Sequence, residues 1–214
     1  MLVVDLIMTK DVITVTRETP VLDALKIMQE KGFRRLPVID EDNRPVGVVS
    51  QRAIESLKPQ SGLPSVWQIG SWAAKHTVGE VMNKRMVIVR PTDTVEAATA
   101  KAQSNKVGSL LVVDDGKLVG VVTTNDIFYK IVNPTLGLGE SGTRVVIVGG
   151  GSGRNAENIL GAINRLGVDI KVIWAVQSPT NLKTNLVVHL DTDDARGVVG
   201  ELNRLGYEAK VVNR

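Results

Sequence analysis

The chain has 214 residues, 43% of them hydrophobic, 23% charged and only 3% aromatic. That length holds one large domain or two to three small ones, with aliphatic cores built from Val, Ile and Leu. A net charge of +3 with bases and acids interleaved, no cysteine, and no apolar run of membrane-spanning length argue against nucleic-acid binding, membrane insertion and thiolate chemistry.

The start, MLVVDLIMTK, is apolar but carries Asp5 and lacks a basic leading region, so no signal peptide is expected. The missing cysteines fit a reducing compartment, and a cytoplasmic location is expected. His76 and His189 lie far apart in the chain with no cysteine to join them, which predicts no metal site.

Taken in chain order, Val12 to Val15 reads as a short strand, followed by a helix carrying Val21, Leu22, Leu25 and Met28. Two strands follow, LPVID (36–40) and VGVVS (46–50), joined by the turn DEDNRP, and a second helix opens at Gln51. Pro59, Gly62 and Pro64 then mark a connector, in which Val66 to Lys75 reads as a short helix anchored by Trp67 and Trp72.

After the connector the pattern returns. VDLIMTKDVITV (4–15) aligns with VGEVMNKRMVIV (78–89), so that Met8 falls on Met82. In the same register KGFRRLPVID (31–40) falls on NKVGSLLVVD (105–114). VGVVSQRAI (46–54) then matches VGVVTTNDI (119–127) at five of nine positions, with the register slipped by one residue. The slip arises where DEDNRP is shortened to DDGK, and Asp115-Gly116 is a tight-hairpin signal. Met86 to Val89 is the first strand of the second copy, and its second helix opens at Thr124. Each copy is a βαββα unit too small to bury both faces of its sheet alone, so the two are expected to pack as a pseudo-symmetric pair.

The repeat stops after Tyr129. NPTLGLGESG (133–142) is rich in Gly and reads as a linker. A different unit follows: strand TRVVIV, a helix from Ala156 to Leu166 with Ile159, Leu160, Ile163 and Leu166 on one face, and Gly167 as its stop. Strands VDIKVIWAV and NLVVHLD flank the turn SPTNLKT. Asp193 or Asp194 is placed to cap a helix carrying Val198, Val199, Leu202 and Leu205, and YEAKVV is the last strand. This is βαββαβ, the pattern of a split βαβ sandwich. The expected organisation is repeat 1 over 1–60, a linker helix over 61–77, repeat 2 over 78–132, a linker over 133–142 and the last domain over 143–214.

GFRRLPVID with VGVVSQRAI, and GSLLVVD with VGVVTTNDI, resemble tandem CBS motifs in register. The segment 143–214 resembles an ACT domain, with a ferredoxin-like βαββαβ fold, and the order CBS–CBS–ACT is similar to that of the bacterial acetoin-utilisation B-type proteins. The fold class is therefore α+β with α/β character. The resemblance implies a regulatory homodimer rather than an enzyme. It needs no cofactor, binds an adenosine-containing nucleotide such as AMP, ADP, ATP or S-adenosylmethionine, and acts on a regulated protein that is unknown.

In such proteins a Thr/Ser-x-x-Asp at the end of the last strand holds the ribose. A carboxylate can accept from both ribose hydroxyls at once. The second copy keeps this pattern as Thr123-Thr124-Asn125-Asp126. The resemblance assigns Asp126 to ribose, Thr123 to ribose or phosphate and Val121 to the adenine slot. It adds Ile13, Phe33 and Arg34 from the first copy, with Arg34 and Arg35 available to phosphates. The first copy reads Ser50-Gln51-Arg52-Ala53, with Ala53 where the ribose-binding Asp belongs. Its cleft, with Ser50, Val87, Val107 and Gly108, is expected to be impaired. Thr-x-x-Asp ahead of an apolar helix is also a capping box, which needs no ligand.

A second candidate is GGGSGRNA, Gly149 to Ala156, between a strand and a helix. In an ACT domain this loop seats a small effector, often an amino acid, which would involve Gly151, Ser152, Gly153 and Asn155. The same residues fit G-x-G-x-x-A, which leaves a dinucleotide-dependent enzyme as an alternative. The missing second βαβ half and the missing acid at the next strand's end weigh against it. A structural dimerisation scaffold with vestigial clefts is the other alternative, favoured by Ala53.

Overall fold

The computed structural model describes residues 2–56, 76–179 and 182–212. The expected helix at 66–75, with Trp67 and Trp72, lies outside the described residues. The chain divides into two compact units, Met1–Ile127 and Phe128–Arg214.

In the first unit a 3-10 turn, Val4–Leu6, precedes helix α1 (Val21–Lys31), strands β1 (Arg35–Ile39) and β2 (Pro45–Ser50) and helix α2 (Gln51–Glu55). The second copy contributes α3 (Val78–Val81), β3 (Ile88–Val89), α4 (Val95–Ser104), β4 (Ser109–Asp114), β5 (Lys117–Thr123) and α5 (Thr124–Ile127). Both hairpins are antiparallel, and each carries a register shift at the same place in the repeat, Val38/Ile39 and Val112/Val113. In the shorter turn Asp115 and Gly116 take φ of 45° and 76°, the left-handed pair that a two-residue hairpin requires.

Val12 to Val15 forms no strand: Val15 alone makes a parallel bridge, to Val38, whereas Ile88 and Val89 of the second copy pair with Leu111 and Val112. On α1, Leu22 is exposed and Ala24 is buried with Val21 and Met28. Val21, Ala24 and Met28 follow the i, i+3, i+7 stripe, and Leu22 falls off it.

The copies are tied together by exchanged lead-ins. The N-terminal segment hydrogen-bonds to the second copy: Val4 N–H to Asp93 O, and Thr9 and Val121 N–H to each other's carbonyls. The second copy's lead-in does the same to the first, with Val78 N–H to Thr19 O and Asn83 and Val48 exchanging both bonds. Glycines permit this close crossing. A Cβ on Gly120 would lie 2.5 Å from Met8 Sδ, and one on Gly47 would lie 2.7 Å from Met82 Sδ. Val78 accordingly sits in the core of the first copy with Val15, Met28, Leu36, Val38, Val49 and Ile54.

The second unit begins with a π-helical turn (Phe128–Val132) and α6 (Asn133–Thr135). It continues through β6 (Thr143–Val148), α7 (Gly153–Arg165), β7 (Ile170–Gln177), β8 (Thr184–Leu190), α8 (Arg196–Arg204) and β9 (Glu208–Val212). The four strands form one antiparallel sheet in the order β7-β8-β6-β9. Alternate residues Val145, Ile147, Leu186, Val188 and Leu190 face both helices and meet Ile159, Ile163, Val198 and Leu202. Leu166 and Leu205, expected on the buried faces, are exposed C-cap residues. The N-cap of α8 is Ala195; Asp194 stands one residue earlier, where its Oδ1 accepts the Arg196 N–H at 3.0 Å.

The expected linker is not one throughout. Pro134 is the second residue of α6, which continues directly from the π turn. Residues 136–141 then lie on the sheet face that the helices leave open. Leu136 O accepts from Arg144 Nη2, and Ser141 O is 3.0 Å from His189 Nε2. A Cβ on Gly137, whose φ is 60°, would lie 3.4 Å from the His189 ring, and His189 is completely buried.

Candidate functional site

β5 ends at Thr123, and the four residues that follow turn into α5. Thr123 and Asp126 close this turn reciprocally. Asp126 Oδ2 accepts the Thr123 N–H at 2.9 Å and the Thr123 hydroxyl at 2.6 Å, while the Asp126 N–H is 3.2 Å from Thr123 Oγ1. This is the capping box. It holds a half-buried carboxylate at the end of the sheet, and a carboxylate has about four acceptor sites on two oxygens.

The equivalent turn of the first copy is simpler. Ser50 Oγ accepts the Ala53 N–H at 3.2 Å, and with Ala at position 53 there is no returning carboxylate. Ser50 therefore acts as a plain N-cap of α2.

Neighbouring strands bring other expected residues to the Asp126 turn. Ser109 pairs with Thr123, and the Thr124 N–H donates to Gly108 O at 3.1 Å. Because Gly108 has no side chain, Arg35 reaches across from the first copy: Arg35 Nη1 lies 3.5 Å, and Thr124 Oγ1 3.9 Å, from the point a Cβ on Gly108 would occupy. Thr123, Thr124, Asp126, Gly108 and Arg35 thus form one neighbourhood. Sequence reasoning did not single out Thr124; its place directly after Thr123 was the available signal. Val121 is half-buried and held by Thr9. Ile13 packs against the core of the first copy. Phe33 and Arg34 are exposed, and Arg34 O receives the Gln51 N–H. Val87 and Val107 are half-buried, each giving or receiving a backbone bond within the second copy.

In the second unit an open cleft of about 740 Å³ lies beside the glycine loop, lined by Gly149, Ser152, Asn155, Lys183, Tyr207 and Glu208 among others. Lys183, Tyr207 and Glu208 carried no sequence signal, because only the fold brings them to this loop. The glycines serve close packing of the loop on its own sheet. A Cβ on Gly150 would lie 2.7 Å from Ile159 Cδ1, and one on Gly151 would lie 2.7 Å from Thr184 Cγ2. Asn155 Nδ2 donates to Gly149 O and Ser152 Oγ, and the Gly149 N–H donates to Asn185 Oδ1. The dinucleotide alternative fails on topology. β6 has antiparallel neighbours on both sides, and β8 separates it from β7, so the adjacent parallel strand of a dinucleotide crevice is missing from this sheet. Among the described residues no group of His, Asp and Glu is arranged to hold a metal ion, and no helix is long and apolar enough to cross a membrane.

A duplicated β–α unit with exchanged lead-ins and a polar turn at the end of one sheet defines a paired-repeat module. The chain belongs to the CBS domain family, whose model matches residues 3–57 and 78–133. CBSX2 of Arabidopsis thaliana, solved in complex with AMP, is 30% identical with a TM-score of 0.53; the match covers 62% of this chain and 98% of that one. A putative acetoin utilization protein (AcuB) from Vibrio cholerae is 27% identical with a TM-score of 0.53, covering 62% and 92%. An uncharacterized protein of Methanocaldococcus jannaschii is 30% identical over 181 residues, 60% of this chain and 43% of that protein. The chain spans less than half the length of the first curated relatives it matches, inosine-5′-monophosphate dehydrogenase of Aquifex aeolicus among them.

Proposed function

We propose that the chain is a regulatory sensor that binds an adenosine nucleotide at the Asp126 turn. The observation that carries this is the pairing of a Thr-x-x-Asp turn, present only in the second copy, with family membership and a 30% identical relative that holds AMP. Asp126 grips the ribose diol, Thr123 and Thr124 lie toward the sugar and phosphate, Val121 with Ile13 and Phe33 flanks the adenine, and Arg34 and Arg35 supply positive charge. Ser50, Val87 and Val107 belong to the second cleft, which lacks a carboxylate and is weak; Gly108, expected there from the sequence, goes instead with the Asp126 turn, where its carbonyl accepts the Thr124 N–H. The protein works as a homodimer in the cytoplasm and has no catalytic activity of its own.

The strand order of the second unit supports an ACT-like, ferredoxin-like reading, since βαββαβ with the first and third strands central is that arrangement. Of the expected effector loop Gly151, Ser152, Gly153 and Asn155, only Ser152 and Asn155 line the cleft, so a small effector there would meet those two together with Lys183 and Glu208. Domain limits of 1–60, 78–132 and 143–214 accompany this reading.

One observation favours a second reading. Asp126 already fastens α5, and a carboxylate so used needs no ligand. The chain would then be a dimerisation scaffold. A thermal-shift panel of AMP, ADP, ATP, S-adenosylmethionine and single amino acids separates the two: a nucleotide-induced rise that disappears in Asp126→Ala supports the sensor, and no response to any nucleotide supports the scaffold.

A further inference from the structure

Arg35 opens β1 and Gly108 immediately precedes β4, yet the two meet across the repeat. Apart from chain neighbours, the point that a Cβ on Gly108 would occupy has two heavy atoms within 4 Å, Arg35 Nη1 at 3.5 Å and Thr124 Oγ1 at 3.9 Å. The Thr124 N–H is already given to Gly108 O, so side chains alone face this point. One is a guanidinium with five N–H donors and no acceptor, and the other is a hydroxyl. No salt bridge among the described residues includes Arg35.

The repeat shows how unequal this arrangement is. Arg34 and Arg35 of the first copy align with Gly108 and Ser109 of the second. Arg34 O accepts the Gln51 N–H just as Gly108 O accepts that of Thr124, so the backbones match and the side chains do not. The first copy sends a guanidinium to the turn that holds the Asp126 carboxylate. The second copy has no charge at either position to send to the turn of Ser50 and Ala53. A carboxylate for a sugar diol and a cation for an anion therefore fall on the same cleft.

We propose that the Asp126 cleft selects its ligand by an anionic 5′ group, held over Gly108 between Arg35 and the Thr124 hydroxyl, and that the missing side chain at position 108 is what admits it. This deepens the adenosine reading above and rests on it. An oxygen near that point accepts from both groups, and guanidinium pairs with phosphate in a planar fork. AMP, ADP and ATP carry a phosphate on the 5′ carbon. Adenosine has a neutral hydroxyl there, and S-adenosylmethionine has a sulfonium cation, which a guanidinium repels. The class of ligand is thus a 5′-phosphorylated ribonucleoside.

The test is calorimetric titration of the full chain with adenosine, AMP and S-adenosylmethionine, using the wild type, Arg35→Gln and Gly108→Ala. Both variants are expected to keep the fold, checked by circular dichroism: Arg35 is exposed, and a methyl on Gly108 has nothing closer than 3.5 Å. That methyl fills the space over position 108. The wild type is expected to bind AMP at least about tenfold more tightly than adenosine, and S-adenosylmethionine no more tightly than adenosine. Each substitution is expected to bring the AMP preference below about threefold. Equal binding of AMP and adenosine by the wild type, tighter binding of S-adenosylmethionine than of AMP, or a preference that either variant leaves intact overturns the phosphate position and leaves ribose at Asp126 standing. Binding of none of the three overturns the adenosine reading and the phosphate position with it.

Discussion

Thr123 gives its backbone N–H and its hydroxyl to a single oxygen of Asp126, at 2.9 and 2.6 Å, at the end of a strand where the first copy has only Ser50 and Ala53. One carboxylate thus serves local folding and is the strongest candidate for ligand capture in the chain. The first role has its own consequence. Asp126→Ala leaves the Thr123 donors and the start of α5 without this partner and is expected to cost about 1 kcal/mol, a fall in melting temperature of about 3 °C. Ala53→Asp, which restores the box in the first copy, is expected to raise it by a similar amount. Differential scanning calorimetry reads both.

The two crossings of methionine over glycine make matched predictions. Gly120→Ala drives a Cβ to 2.5 Å from Met8 Sδ and 3.1 Å from Thr9 O, and Gly47→Ala to 2.7 Å from Met82 Sδ and 3.2 Å from Asn83 O. The methionine tip can swing away, but the backbone carbonyl cannot. Each substitution is expected to destabilise by about 1–3 kcal/mol in urea unfolding, and Met8→Ala is expected to recover part of the loss in Gly120→Ala only.

Gly142→Ala is expected to be more severe. Its φ is 113°, a region glycine occupies and alanine avoids, and the new Cβ would collide with Leu190 O on β8. Unfolding followed by circular dichroism is expected to show a loss of about 3 kcal/mol or more, the scale of a buried steric and backbone conflict.

Acid behaviour can be read at Asp194. The Arg196 guanidinium beside it, with the Arg196 N–H, lowers its pKa to about 2 from an ordinary value of 3.8. A carboxylate whose folded pKa is depressed stabilises the fold above its unfolded pKa and loses that contribution as pH falls through the folded value, here between about pH 4 and pH 2. The group is fully exposed, so the effect on stability is small and solvent-screened. Carboxyl NMR titration of the wild type is expected to give a midpoint well below that of Arg196→Ala.

Much of this architecture was readable before any coordinates. The in-register repeat, the Asp115-Gly116 turn and the Thr-x-x-Asp motif are local signals, and local signals survive translation into structure. What was missed depends on contacts distant in sequence. Val12 to Val15 has strand composition but bridges only at Val15, to Val38, whereas the second copy pairs at both Ile88 and Val89. NPTLGLGESG has linker composition, yet Gly137 lets its backbone lie against His189 and Val172. The burial of His189 had no sequence signal, since an alternating strand shows which residues share a face and not what covers it. For the site, residue type identified Thr123 and Asp126, but the approach of Arg35 to Gly108 and Thr124 needed the two copies placed together.

The central claim is that the Asp126 carboxylate binds ribose as well as closing a turn, and Asp126→Asn separates the two. The amide oxygen can still accept from Thr123, so the box and the melting temperature are largely kept, while the charge that strengthens bonds to a sugar diol is gone. Calorimetric titration with AMP is expected to show one strong site in the wild type and affinity at least about tenfold weaker in the Asn variant. Equal affinity in the two proteins, or no binding by the wild type, would contradict the account.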